Sequence, residues 1–338
     1  MAGDEIILIN SPNIPGLRFR HFQGANDYPH MARIIAACAD VDKLERADTA
    51  ENIANAFNYL INCDPYQDML FAEVNGEVIG YSRVWWWTEY NDTYLYGFIG
   101  FLTPSWRRKG IGRVMLHWIE NRLREIGAQH SQGQPQLFQT FVTQHQTGQS
   151  AMLEREGYRA VRYAFQMLRP TLDDIPDFPL PAGIEVRQVL PEHYRSIWEA
   201  DMEAIRDNWG TGPQMEEMYE AWLDNETIFQ PHLWEVAWDI ATNQVAGQVR
   251  AFINQAENEK YNRRRGYTEF ISVGRHWRKQ GIARALIVRS LRRQKEEGMT
   301  ESALGVDSEN GSGATRVYEA CGFRVVKRDT FYRKPLFE

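Results

Sequence analysis

The sequence predicts an α/β chain built as two tandem domains, each a mixed α+β sheet, and three observations carry that prediction. The chain has 338 residues, more than one domain of ordinary size. Blocks of it recur at a nearly constant spacing. In each recurrence, antiparallel hairpin signals precede a strand–glycine turn–helix–strand run, the pattern of a mixed sheet.

Composition narrows the function classes. Charged residues make up 25% and hydrophobic residues 43%, ordinary globular usage that argues against long disorder. Lys and Arg number 38 against 45 Asp and Glu, a net charge of −7 that weighs against nucleic-acid binding and leans towards a cationic partner. No apolar run approaches the roughly 18 residues of a membrane span. Asp4-Glu5 stands near the start, where a secretory signal would be basic. Cys38, Cys63 and Cys321 are too few and too scattered for a disulfide framework or a metal site. The expectation is a soluble, cytoplasmic protein without metal.

The repeat is read from three aligned blocks. Trp106-Arg107-Arg108-Lys109-Gly110-Ile111-Gly112 matches Trp277-Arg278-Lys279-Gln280-Gly281-Ile282-Ala283 at an offset of 171. Upstream, Val78–Arg83 matches Val245–Arg250 at 167, and downstream Leu153–Tyr158 matches Tyr318–Phe323 at 165. Chance matches would scatter; these offsets do not. The step from 171 to 165 places six extra residues in the first copy, expected in the Gln129–Gln136 loop. A period this long means two domains, not a solenoid. The expected domains are 1–170 and 182–338. Between them lies Thr171–Pro181, and the four prolines of Pro170–Pro181 make a stiff linker that continues neither helix nor central strand.

In order, each copy opens with a short strand (Leu17–Phe22; Ile184–Val189). Helical stretches follow (Tyr28–Ala39 and Asp48–Asn62; Glu192–Ile205 and Pro213–Leu223). Two apolar runs joined by an Asn-Gly or Thr-Asn turn then read as hairpins, Leu70–Val74 with Val78–Trp87 and Leu233–Ala237 with Val245–Ile253. Tyr94–Leu102 and Tyr267–Val273 are strands running into the glycine turn. Amphipathic helices follow, with Ile111, Met115, Ile119 and Leu123 on one stripe and Ile282, Leu286, Val288 and Leu291 on the other. A strand (Leu137–Thr143; Glu301–Val306), a helix and a closing strand complete each copy.

The strand–turn–helix is the expected seat of chemistry. Gly281 lets backbone approach a ligand, and the first turn of the following helix leaves N–H groups unpaired. With the helix dipole, and Arg278 and Lys279 adding charge, the turn reads as an anion site. A solvated basic cap is the plainer reading of one such loop; its recurrence favours phosphate binding.

This R/Q-x-x-G-x-G/A turn resembles the pyrophosphate loop of the GNAT superfamily of acetyl-CoA-dependent N-acetyltransferases. The second copy continues the resemblance in order: Val306–Asn310 is similar to V-x-x-x-N, and Ala314–Phe323 to A-x-x-x-Y-x-x-x-G-F. A weaker resemblance, in the duplication, Arg206–Gly210 and Phe229–Trp234, is to tandem acetyltransferases of the mycothiol synthase type. The resemblance implies two GNAT domains using acetyl-CoA to acylate an amine. It implies cofactor contacts at Arg278, Lys279, Gln280, Gly281, Ile282 and Ala283, with Asn310 bonding the cofactor or ordering the strand end. In the first copy the corresponding residues are Leu102, Arg107, Arg108, Lys109, Gly110, Ile111 and Gly112. Tyr318 would donate a proton to the departing sulfur, or else simply pack on the sheet. The backbone N–H of Val273 would polarise the thioester carbonyl.

Glu269 is the candidate base. It stands four residues before Val273, and strand periodicity puts Glu269, Ile271 and Val273 on one face. Burial would raise its pKa and suit it to proton removal, while the plainer reading is an exposed strand Glu or an ion pair with Arg263–Arg265. The first copy has Leu153 for Tyr318, Phe98 for Glu269 and His145 for Asn310, so it is expected to be catalytically silent while still able to hold CoA. Trp85 and Trp87 share one strand face, read first as packing and second as an aromatic wall. Arg263–Gly266 reads as a solvated turn, Cys321 as structural, and Asp201, Glu203, Asp207, Glu216 and Glu217 as either solvating acids or an amine-attracting cluster. The expected acceptor is a small-molecule amine. A peptide or protein N-terminal acetyltransferase and a CoA-binding regulatory module without turnover are the alternatives.

Overall fold

In the computed structural model, which describes residues 5–309 and 313–337, each repeat folds in the expected order of hairpins, strand, helix and strand. The first copy runs β1 (Leu17–Arg20), α1 (Tyr28–Asp42), α2 (Ala50–Phe57), the single turn α3 (Pro65–Asp68), β2 (Met69–Val74), β3 (Glu77–Thr88), β4 (Tyr94–Leu102), α4 (Ile111–Gly127), β5 (Gln136–Thr143), α5 (Thr147–Arg155) and β6 (Arg159–Arg169). The second runs β7 (Ile184–Arg187), α6 (Tyr194–Ile205), α7 (Glu216–Leu223), β8 (Trp234–Asp239), β9 (Gln244–Arg250), α8 (Gln255–Lys260), β10 (Arg265–Tyr267), β11 (Ser272–Val273), α9 (Ile282–Glu296), β12 (Glu301–Asp307), α10 (Ala314–Ala320) and β13 (Arg324–Pro335).

Turn chemistry sets the hairpins. Asn75 and Gly76 take φ of 50° and 84°, the left-handed pair that a two-residue hairpin loop needs, so β2 and β3 pair antiparallel with Val74 opposite Glu77. In the second copy Asn243 takes φ 55°, and the Asp239 carboxylate accepts from the N–H groups of Ala241 and Thr242. The register of each hairpin shifts at the same place, between Ala72 and Glu73 and between Ala237 and Trp238. The six extra residues of the first copy are divided. Helix α4 has 17 residues where α9 has 15, and the loop 128–135 replaces the shorter 297–300.

The chain separates into two compact units, Met1–Val161 with Thr330–Glu338, and Arg162–Asp329. In the first unit β1 to β4 pair antiparallel in sequence order and β4 pairs parallel with β5, a mixed sheet. Its cores are Phe22, Ile34 and Tyr81 beneath α1 and α2, and Leu116, Phe138 and Tyr158 beneath α4 and α5. Tyr332 and Leu336, from the far end of the chain, complete the latter core, and Leu336 N–H donates to Gln136 O (2.9 Å). In the second unit β7, β8, β9 and β11 form one antiparallel sheet, while β12 pairs parallel with β10 and antiparallel with β6. The closing strand of the first repeat thus serves the second unit, and the last residues of the second repeat serve the first. The proline-rich stretch forms neither helix nor strand, yet it is not a bare spacer. Leu172, Ile175, Phe178 and Leu180 pack on the core of the second unit, and Leu172 N–H donates to Thr300 O (3.1 Å).

Candidate active site

In both copies the glycine turn is built on the same backbone. Arg108 and Lys279 each have φ 63°, while Gly110 and Gly281 have φ 88° and 90° and cap α4 and α9. Neither helix carries an acid in its first turn. The N–H groups of Ile111 and Gly112, and of Ile282 and Ala283, therefore open onto a positive helix end with no carboxylate to neutralise it. Arg108, Lys109, Lys279 and Gln280 are exposed there.

The leading arginines do something else. Arg107 Nε donates to Leu102 O (3.0 Å) while its terminal nitrogens grip Asp42 (2.6 and 2.8 Å). Arg278 Nε donates to Val273 O (3.2 Å) and its Nη2 to Ala204 O (2.8 Å), with Asp207 at 3.5 Å. Both tie the strand end to the first helix of their copy, so the Arg278 charge expected to face an anion also holds Val273, Ala204 and Asp207 together. Asp42 and Asp207 stand at the 165 offset of the duplication, a signal that marks them as structural partners. Three of the other acids also have partners: Asp201 pairs with buried Arg250, Glu216 with Arg195, and Glu203 lies 3.9 Å from Arg206.

Beside the turn, strands diverge. In the second unit the parallel pairing of β10 and β12 ends at Tyr267 and Ala303, with Thr268 N–H donating to Ala303 O (2.9 Å). Beyond this point the chain pairs with β9 alone. Phe252 faces Tyr267 and Gln248 faces Ser272, so this strand holds one residue more than β9 over the same span. The extra residue is absorbed by a bulge at Phe270, whose φ is 49°. The bulge corrects the period-two reading: Glu269 and Val273 do not share the face of one continuous strand. Gly274 N–H donates to Ala246 O (3.0 Å), so antiparallel alternation aims the Val273 N–H away from β9, towards the open fork. Thr103 N–H donates to Ile79 O (2.9 Å), which orients Leu102 in the same way in the first unit.

Glu269 reaches across the fork. Its Oε1 accepts the Gly305 N–H (2.7 Å) from β12. The side chain is half-buried in accessible surface but closely surrounded by other atoms, and desolvation pushes its carboxyl up to about 8 against the opposing Gly305 bond. Of its alternative partners Arg263–Arg265, Arg265 pairs with Glu301 (2.7 Å) and Arg263 with Glu257 (3.2 Å). Tyr318, on α10, is 7% exposed, and its hydroxyl makes no hydrogen bond among the described residues. Burial first, then the Glu269 charge, push its pKa up, so the phenol keeps its proton. Asn310 lies outside the described residues.

The first unit holds the same fork without these groups. Pairing of β4 with β5 ends at Gly97 and Gln139, and Thr140 Oγ1 donates to Phe98 O (2.9 Å). Beside it lies a cavity of about 620 Å³ that opens at the glycine turn, with Arg108 and Arg155 at the mouth and Phe98, Leu116 and Leu153 inside. Its wall includes Ser82, fully buried, whose hydroxyl has no partner among the described residues. A cationic, N–H-lined mouth over a largely apolar interior with an orphaned hydroxyl fits coenzyme A, a polyanion on a thin arm.

A family model described as the acetyltransferase (GNAT) family matches residues 33–133 and 194–323. No curated protein matches the chain at a significant level. Among solved structures, a GCN5-related N-acetyltransferase from Sphaerobacter thermophilus is 26% identical, with a TM-score of 0.71 over 95% of this chain and 96% of that one. A tandem GNAT protein from the clavulanic acid biosynthesis pathway is 15% identical, with a TM-score of 0.65 over 95% and 99%. A putative acetyltransferase from Pyrococcus horikoshii is 12% identical, with a TM-score of 0.56 over 97% and 92%. Two matched regions, each with its own glycine turn and strand fork, are the arrangement expected of a duplicated acyltransferase domain, and the chain belongs to the GNAT acetyltransferase family in tandem form.

Proposed function

We propose that the second unit transfers an acetyl group from acetyl-CoA to the amine of a small molecule, directly within a ternary complex, and that the first unit binds CoA without turnover. The observation that carries this reading is the pairing of unlike proton affinities at one fork. Glu269 is a carboxylate of raised pKa and Tyr318 a buried phenol that keeps its proton, and the first unit has Phe98 and Leu153 in their places.

Acetyl-CoA supplies the activated acyl group as a thioester. Around it, Lys279, Gln280 and the N–H groups from Gly281 to Ala283 would hold the pyrophosphate. The outward N–H of Val273 would meet the carbonyl oxygen, and Glu269 would take the proton of the attacking amine at Oε1, directly or through water. Tyr318 holds at Oη the proton that a leaving thiolate needs. No helix among the described residues is long and apolar enough to cross a membrane, and all three cysteines are free, which supports a reaction in the cytoplasm.

Thiol release from acetyl-CoA across a panel of small amines tests the reading. At least one amine stimulates release, and Tyr318→Phe and Glu269→Gln each lower kcat by roughly 10²–10⁴-fold. Full turnover by Tyr318→Phe, or no stimulation by any amine, overturns it.

A further inference from the structure

We propose that the first unit carries, on the sheet face away from its CoA cavity, a binding site for a small carboxylate with a flat apolar body, centred on Arg83. The sheet itself separates the two. Ser82, Val84 and Trp86 point to the side of the cavity and of α4, whereas Tyr81, Arg83, Trp85 and Trp87 point to the side of α1 and α2.

Arg83 is an anomaly on that face. Its guanidinium lies 5.7 Å from the ring of Phe57 and 5.3 Å from that of Trp85, held between them. Among the described residues it has neither a hydrogen bond nor a carboxylate partner. Its Nε is enclosed and unsatisfied, while the two terminal nitrogens remain accessible. The positive field there is reinforced by Arg46, which is itself bound to Asp48 (2.6 and 2.8 Å).

The other repeat shows what is missing. Arg250 stands at the matching strand position, also between two rings, Trp222 at 5.0 Å and Phe270 at 4.6 Å, but it is paired with Asp201, and both side chains are 3% exposed. The second unit supplies the carboxylate from within, and the first leaves the place open. A half-buried guanidinium without an anion is costly to keep, and its fork matches a carboxylate through two parallel N–H bonds.

The neighbouring wall selects the rest of the ligand. Trp85 and Trp87 stack at 6.4 Å with 16° between their planes, and they lie flat because Gly97 is beneath them. A Cβ on Gly97 would come within 2.6 Å of Trp85 and 2.7 Å of Trp87. The second copy has Thr268 at this position and no tryptophan pair, so the flat bed belongs to the first unit alone.

Titration calorimetry on the full chain with benzoate tests the site, with benzylamine and inorganic phosphate as comparison probes. Benzoate saturates one site with a Kd near or below roughly 1 mM. Arg83→Gln weakens it at least tenfold, and benzylamine and phosphate do not compete. Arg83→Lys keeps a charge without the fork and weakens binding less than Gln does, which answers for folding should the Gln variant fail to fold. Trp85→Leu also weakens it. Absence of saturable benzoate binding, unchanged affinity in Arg83→Gln, or displacement of benzoate by phosphate at concentrations comparable with the benzoate Kd each overturns the proposal.

Discussion

At Glu269 two effects oppose each other, and their balance sets the pH at which the proposed base works. Enclosure disfavours the carboxylate and the Gly305 N–H favours it; enclosure wins, leaving the carboxyl at about 8. A base must be ionised, so kcat/KM rises with pH and levels off above about 8. An acceptor amine can produce a similar limb through its own proton. An aromatic amine, neutral across the range, removes that ambiguity: the limb persists in the wild type and vanishes in Glu269→Gln. A limb that follows only the acceptor's pKa would remove Glu269 from the mechanism. Stability moves the opposite way. The folded carboxyl lies above its unfolded value of about 4.3, so the native state binds the extra proton between these values. The wild type therefore loses stability as pH rises from about 4.3 to about 8, and Glu269→Gln does not. Melting temperatures of the two proteins converge at pH 5 and diverge at pH 9.

At the scale of the element, the two glycine turns make the same claim on backbone but not on function. A side chain at φ near 90° costs about 1–2 kcal/mol of local strain wherever it has room, and the Cβ of an alanine at 281 would meet nothing within 4 Å. The strain falls on the loop itself, not on its packing. Equilibrium dialysis with CoA should therefore read two sites per wild-type chain, with one of them weakened by up to about 5–30-fold in either Gly110→Ala or Gly281→Ala, and only the latter should raise the KM for acetyl-CoA. One site in the wild type would leave the first cavity without its proposed ligand. Both turns are legible in the sequence, because a motif at matching offsets is a local property of the chain. The fork is less so. Tyr94–Leu102 and Tyr267–Val273 read alike as strands, but only the first is unbroken. The bulge at Phe270 lies where pairing with β12 has ended and the chain pairs with β9 alone, and nothing in the local sequence forces φ 49° on a phenylalanine. The chemistry of Glu269 is legible in the sequence, while its placement depends on that bulge. Arg83 is not legible in this way, because an arginine without a partner can be recognised only once its surroundings are known.

At the scale of the whole chain, the duplication is plain in the sequence and the exchange of closing strands is not. Periodicity identifies a strand but not the sheet it joins. The first unit draws Tyr332 and Leu336 into its core, and Arg333 binds Gln139 and Glu89 (both 2.7 Å) while Lys334 binds Glu120 (2.8 Å). The second draws on Met167 and on Arg162, whose guanidinium grips Asp307 (2.7 and 2.8 Å). Loss of two large buried side chains removes about 3–6 kcal/mol, a large part of the 5–15 kcal/mol that holds a domain folded. Cutting the chain between Pro170 and Thr171 therefore leaves two fragments that each lack a strand the other carries. Fragments 1–170 and 171–338 made separately should show no cooperative thermal transition, and made together they should copurify and regain one. A fragment 171–338 that unfolds cooperatively alone and releases thiol from acetyl-CoA would show that β6 is dispensable, and that the exchange adds nothing to the stability of the second unit.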